Sequence, residues 1–434
     1  MGSNWISSIT SSGSVLYKRF ESTPIADRIR CTVIVLLMYV SSGMMFFGMN
    51  FFIHSFSYGA NTFVSLFIPA VFWAIMFLVP LLGYRLHLSR QDAATAEKGK
   101  LLSGRTPGLP SVSSVSPSLQ GPYLDAGLET GSTTATTVRH RVWGARFVAL
   151  LCTMGLVDAL GGLTAVYAAL HVPVLVQALL IAGAPMYTFV FAKIFFPTSV
   201  RPITVSCVLS AVLLLGGIGL ALVPQIQSPD HSVYVSAEWL MIYVASAMLP
   251  ALLNVVQGRF LSDYTTQFRT PIECKMTALC GDTFTQVFIT ATFLPLDALP
   301  HFGASATVSD SWTGFVDGTH CIFFLCDNTF AYFLIYVLGM YFNRISFTYL
   351  NYYNPTVGAV VGQLTQPINT CLLLLFPTLN VFGQPGSWWC TLGCFLLTTG
   401  SMLLLIAWHE APATSAIEED NEGVFDGVVV GEQQ

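Results

Sequence analysis

Three aspartates, Asp158, Asp282 and Asp327, stand inside stretches otherwise apolar enough to cross a bilayer. An acidic side chain at membrane depth is costly and by default marks a functional site. Asp158 and Asp282 fall near the middle of their spans, Asp327 about a third of the way into its own, and no Lys or Arg is expected at their depth. Each carboxyl is therefore either protonated or in a water-filled cavity. Such a group can load a proton on an acidic face and release it on a neutral one. The plainer role is an Asp that caps a helix break or bonds a neighbouring helix. Amides form a second set: Gln177 in one span, and Gln363, Gln366 and Asn369 in another. Uncharged hydrogen-bonding groups suit polar solutes that must also leave, and Tyr187 could stack on a cationic or aromatic ligand. Bridging between helices explains the amides equally well.

Those residues sit on a chain of 434 residues, of which 53% are hydrophobic and only 9% charged. Soluble domains carry about 25% charged residues, so this is an all-α integral membrane protein. At about 20 residues per crossing, ten spans fit: 31–53, 58–84, 144–169, 172–196, 202–223, 236–260, 272–293, 321–343, 350–377 and 387–408. All 18 Lys and Arg then lie at or beside alternate boundaries, including Lys193, Lys275 and Arg344. Cytosolic loops collect basic residues, so both termini are expected in the cytosol. Residues 1–30 are polar and lack the apolar core of a cleavable signal, so the first span is expected to act as a signal anchor.

An internal repeat organises the spans. Pro173 and Pro185 are twelve residues apart in span four, and Pro355 and Pro367 are twelve apart in span nine. Cys207 and Gly217 in span five, and Cys390 and Gly400 in span ten, are each ten apart. Five spans per repeat is an odd number, so the halves insert with opposite orientation. Inverted repeats place a binding site near the midplane, beside interrupted helices, and the four prolines are the expected helix breaks. The resulting division is a cytosolic segment 1–30, a first repeat 31–223, a lumenal linker 224–235, a second repeat 236–409 and an acidic disordered tail 410–434. Glycine-bearing spans five and ten are expected to support the others or to form a homodimer contact.

With ten spans arranged five plus five, the chain resembles the drug/metabolite transporter superfamily. Within it, the chain is similar to the chloroquine-resistance-transporter-like family. The stretches carrying the likeness are DALGGLTAVYAALHVPVLVQALLIAGAP, DNTFAYFLIYVLGMYFNRIS and YYNPTVGAVVGQLTQPINT. The resemblance implies a secondary carrier of vacuolar, lysosomal or plastid membranes. It would move amino acids, peptides, thiols or cationic drugs, often with protons, from an acidic organelle to the cytosol. It also implies cavity-lining roles for Asp158 and Asp327. Well-studied members carry cysteines between spans seven and eight, whereas residues 294–320 have none.

The alternative cargo is a nucleotide sugar or another organic anion. Anions call for Lys or Arg within the spans, and only Lys193, Lys275 and Arg259 are expected inside span ends. No H-E-x-x-H, G-x-S-x-G or phosphate-binding loop occurs, so neither an enzyme nor an ATP-driven pump is expected. No cofactor, metal site or nucleic-acid surface is expected either. The Ser/Thr/Gly/Pro-rich insert 85–142 reads as a disordered cytosolic loop. Within it, Glu97, Leu101 and Leu102 match an acidic dileucine sorting signal that an adaptor could bind. Most cysteines read as small apolar residues within spans. Cys321 and Cys326 lie near the opposite face, and whether they pair is left open.

Overall fold

A computed structural model describes residues 25–56, 62–103, 144–169, 183–195, 205–227, 237–299, 305–353, 365–379 and 387–410, and a few single positions between them. These residues are helical, with no strand among them. The helices are α1 (Ile25–His54), α2 (Thr62–Ser103), α3 (Ala145–Ala169), α4 (Ala184–Phe195), α5 (Val205–Ile226) and α6 (Ala237–Tyr264). They continue with α7 (Pro271–Ala291), α8 (Val308–His320), α9 (Thr329–Tyr353), α10 (Thr365–Leu375) and α11 (Trp388–Glu410). Six of them are long and apolar enough to cross a bilayer, the pattern of a multi-pass membrane protein.

The helices are turned inside out relative to those of a soluble protein. Along α1, Ile29, Val33, Leu36 and Val40 are exposed at helical spacing, while Ser41, Ser42 and Asn50 are buried. On α7 the contrast is sharper: Phe288 is 71% exposed while Gln286 is 1% exposed. In lipid, apolar side chains gain nothing from burial, whereas polar ones must find partners inside the bundle. One stripe of α7 therefore faces inward with Glu273, Thr277, Asp282, Gln286 and Thr290.

Most neighbouring helices pack antiparallel, but α3 and α7 run parallel, with Leu151 against Gly281 and Tyr167 bonded to Asp297. Helix α1 lies along α9, α3 along α6 and α7, α2 along α7, and α5 along α11. The α1–α9 approach depends on small residues. A Cβ at Gly339 would stand 2.5 Å from the backbone nitrogen of Met45, and one at Gly48 would stand 2.8 Å from that of Tyr336. One end of the bundle is tied by ion pairs: Arg85–Glu273 at 3.4 Å, Arg146–Asp263 at 2.6 Å, and Arg269–Asp92. At the other end Asp297, fully buried, accepts hydrogen bonds from Tyr167 at 2.8 Å, Ser305 at 2.6 Å and Ser311 at 3.1 Å. That carboxylate clasps the segment after α7 onto the end of α3.

Several expectations are corrected. Span eight was placed at 321–343, but residues 308–320 form a separate helix and 321–325 a π-helical turn, so the long helix begins only at Thr329. Cys321 and Cys326 are disulfide-bonded across that turn. Arg344 consequently moves from a span boundary to the interior of α9. The expected loop 85–142 begins as helix, because α2 continues to Ser103. Residues 104–143, 1–24 and 411–434, Pro173, Pro355 and Gln363 lie outside the described residues. Pro185 and Pro367 stand where helices begin within the expected spans four and nine. They are the second residue of α4 and the third of α10, first-turn positions where the missing N–H costs nothing.

The tight α1–α9 contact predicts that Gly339→Ala lowers stability by about 1–3 kcal/mol through overpacking. At Gly219 a Cβ would meet nothing within 4 Å, so Gly219→Ala should be neutral. Thermal unfolding of the two variants in detergent would check the contrast, and equal midpoints would refute it.

Candidate functional site

The sequence places Asp158 at the fourteenth position of α3 and Asp282 at the twelfth of α7, both at mid-helix. The close approach of α3 and α7 sets their spacing. A Cβ at Gly155, one turn before Asp158, would lie 2.4 Å from Thr285 and 2.8 Å from the carbonyl oxygen of Asp282. Only glycine lets the two backbones meet there.

Between the carboxylates stands Arg344. Its Nη1 donates to Asp282 Oδ2 at 2.8 Å and its Nη2 donates to Asp158 Oδ2. The three side chains are 9%, 1% and 11% exposed for Arg344, Asp282 and Asp158 respectively. A planar guanidinium with separate donors fits two carboxylates at once, which an ammonium does not. The Arg344 guanidinium carbon also lies 5.8 Å from the centroid of Trp73. Trp73 is fixed by its indole N–H, which donates to the carbonyl of Val337 at 3.1 Å, and by edge contact with Tyr336 at 5.5 Å.

The triad lines a cavity of about 250 Å³ enclosed by side chains from α1, α2, α3, α4, α6, α7, α9 and α10. None of the described lining residues comes from α5 or α11. Those two helices instead grip each other, with Ser210 and Ser401 hydrogen-bonded side chain to side chain at 2.8 Å. Four polar atoms at the triad lack hydrogen-bond partners: Asp282 Oδ1, Gln286 Oε1, Asn343 Oδ1 and Arg344 Nε. Buried groups of this kind are rare unless water or a ligand completes them. Further along, Asn351 donates to Asn254 at 3.0 Å and to Gln257 at 2.9 Å, and Gln257 donates to Thr348 at 2.9 Å.

The expected site residues divide. Asp158 and Asp282 line the cavity together, but as ion-paired groups and not as isolated carboxyls. Asp327 sits exposed in the turn before α9, away from them. Gln177 is buried, but its amide donates to the carbonyls of Ala169 at 2.9 Å and Val172 at 2.7 Å. It thus caps the end of α3. Tyr187 packs beside Gly183, and Asn369 is buried; neither is among the lining residues. Gln366 and Pro367 lie on α10. Glu97, Leu101 and Leu102 lie in the final turns of α2. Sequence reasoning passed over Arg344, Trp73, Gln286 and Asn343. The signal for Gln286 was legible, since Asp282 and Gln286 are four residues apart on one face of α7.

Removing one member of a buried ion pair leaves an uncompensated charge and costs about 3–5 kcal/mol. Arg344→Met should therefore lower the thermal midpoint severely, and adding Asp158→Asn and Asp282→Asn together should recover most of the loss. A midpoint unchanged in Arg344→Met would show that the triad does not hold the bundle together.

No family model matches the chain, and no curated protein matches it. A protein crystal structure is similar over 86% of this chain and 98% of its own, at 12% identity and a TM-score of 0.41, a likeness too distant to define a fold or an activity.

Proposed function

We propose that this chain is a secondary carrier of the chloroquine-resistance-transporter-like family. It is built from ten spans in two inverted five-helix repeats and works in an acidic endomembrane, with both termini in the cytosol. Helices α1 to α7 are spans one to seven, and α9, α10 and α11 are spans eight, nine and ten. Exchange of the repeats turns the α1–α9 pair into the α6–α3 pair, the α4–α6 pair into the α10–α1 pair, and the α5–α11 pair into itself. All of these pairs pack against one another, which supports an inverted repeat.

The observation that carries the functional reading is the buried Asp158–Arg344–Asp282 triad on the wall of the cavity, with Asp282 Oδ1 unpartnered. A carboxylate oxygen free to take a proton or a cationic group, deep in a mid-bundle cavity, suits a proton-coupled carrier of small polar or cationic solutes. Arg344 favours a second reading, the exchange of organic anions, because a guanidinium clamps carboxylate or phosphate. Two carboxylates already occupy its fork, which favours the first.

Protein reconstituted in one orientation would be offered radiolabelled lysine, a dipeptide and a nucleotide sugar, with and without an acid lumen. Dipeptide flux that rises with the proton gradient is expected, and Asp158→Asn should abolish the pH stimulation in a protein that still folds. Nucleotide-sugar exchange indifferent to pH would instead establish the second reading. The paired change Leu101→Ala and Leu102→Ala should shift the carrier from its organelle to the cell surface. Unaltered localisation would dismiss the sorting signal.

A further inference from the structure

We infer that Arg344 sets the charge stoichiometry of the site. The triad holds one uncompensated negative charge, which either one proton or one cationic group of a solute fills, so the two exclude each other. The inference rests on the transport reading above and deepens it. Among the described cavity-lining residues, only Asp158, Asp282 and Arg344 are charged. Among the described residues the titratable neighbours are Tyr336, from the helix of Arg344, and Tyr243 from α6, and those of α1, α2, α4 and α10 bring no titratable lining group. An arginine does not release its proton in a protein, so its single positive charge is permanent and offsets one of the two carboxylates. The remaining charge has an acceptor at hand. Both Oδ2 atoms are taken by Arg344, while Asp282 Oδ1 is buried and empty.

A net charge shut inside a low-dielectric bundle is expensive, so the form that moves is the neutral one. A zwitterionic solute then travels with one proton. A monovalent cation travels in place of the proton. A proton and a cation never share the site.

Counting protons at the site needs no solute. Infrared difference spectra of the purified protein, taken on acidification, should show one buried carboxyl gaining its acid C=O band. Asp158→Asn and Asp282→Asn should each remove that band, because either change leaves one carboxylate matched by Arg344. Arg344→Gln should show two bands, and Arg344→Lys, which keeps the charge if the glutamine variant does not fold, should show one. In vesicles, labelled glutamine should enter with one proton per molecule, whereas lysine should carry none and should lose flux as the loading side is acidified. Two bands or none in the unmodified protein would overturn the inference. So would persistence of the band in Asp158→Asn, or equal proton counts for glutamine and lysine. A single band removed by both aspartate changes, with no flux of any probe, would sustain the charge count and overturn the transport reading instead.

Discussion

The rest of the bundle is arranged around one guanidinium held between two carboxylates. Bringing Arg344 of α9 onto Asp158 of α3 and Asp282 of α7 puts three helices within a side chain's reach of one point. That convergence explains the glycine at Gly155, where a Cβ would strike α7, and the fully buried Trp73 whose ring backs the guanidinium. The arrangement is costly, since desolvating three charges is repaid only by good geometry and complete hydrogen bonding. Here the bonding is incomplete on the cavity side, at Asp282 Oδ1, Arg344 Nε and Gln286 Oε1. A purely structural ion triad would close those gaps. For the carrier proposed above, those open positions are where a proton or a solute would bond.

Lipid outside the bundle makes this polar interior compulsory. A helix as polar as α7 cannot present Asp282, Gln286 and Thr290 to hydrocarbon, so those residues fix its rotation and leave Phe284 and Phe288 outside. The inward stripe of α7 then decides which faces of α2 and α3 it meets. Arg85 of α2 reaches Glu273 and Thr277, and Asp158 of α3 shares the arginine. In this membrane protein the polar residues set the packing, and the apolar ones follow.

This logic also explains which parts were legible in the sequence. Membrane class and the mid-helix depth of Asp158 and Asp282 follow from composition and span length, and both survive. Arg344 was misplaced because Cys-Ile-Phe-Phe-Leu-Cys is as apolar as any membrane segment. Hydropathy cannot distinguish a disulfide-closed π turn from the start of a span. Beginning the helix at Thr329 and not at residue 321 carries Arg344 from the membrane edge to the centre. The same shift leaves Asp327 in an exposed turn. The start of the long insert was missed for a different reason: Gln-Asp-Ala-Ala-Thr-Ala-Glu-Lys is rich in good helix formers. Averaging it with the Ser/Pro-rich residues that follow concealed that. Gln177 looked like a ligand-facing amide because a sequence does not show the carbonyls of Ala169 and Val172 that it satisfies.

The two ends of the bundle differ in what it costs to part them. At the arginine-rich end, Arg269–Asp92 joins two exposed side chains, and Arg146–Asp263 joins an exposed arginine to a half-buried carboxylate. Such pairs are each worth about 0–1 kcal/mol and are screened by salt. Deeper at that end, Lys275 lies between the rings of Tyr349 and Tyr352, 3.9 and 4.0 Å from their centroids. At the opposite end the buried carboxylate of Asp297 accepts three side-chain hydrogen bonds and fastens the segment leading into α8. Breaking that clasp would strand a buried charge, a larger penalty than losing exposed ion pairs. For the carrier proposed above, parting the arginine-rich end would cost least at Arg146–Asp263 and Arg269–Asp92 and most at Arg85–Glu273, whose carboxylate is only 5% exposed. The Asp297 end is more easily opened by moving α8 and its clasp as one body, with the carboxylate still bonded.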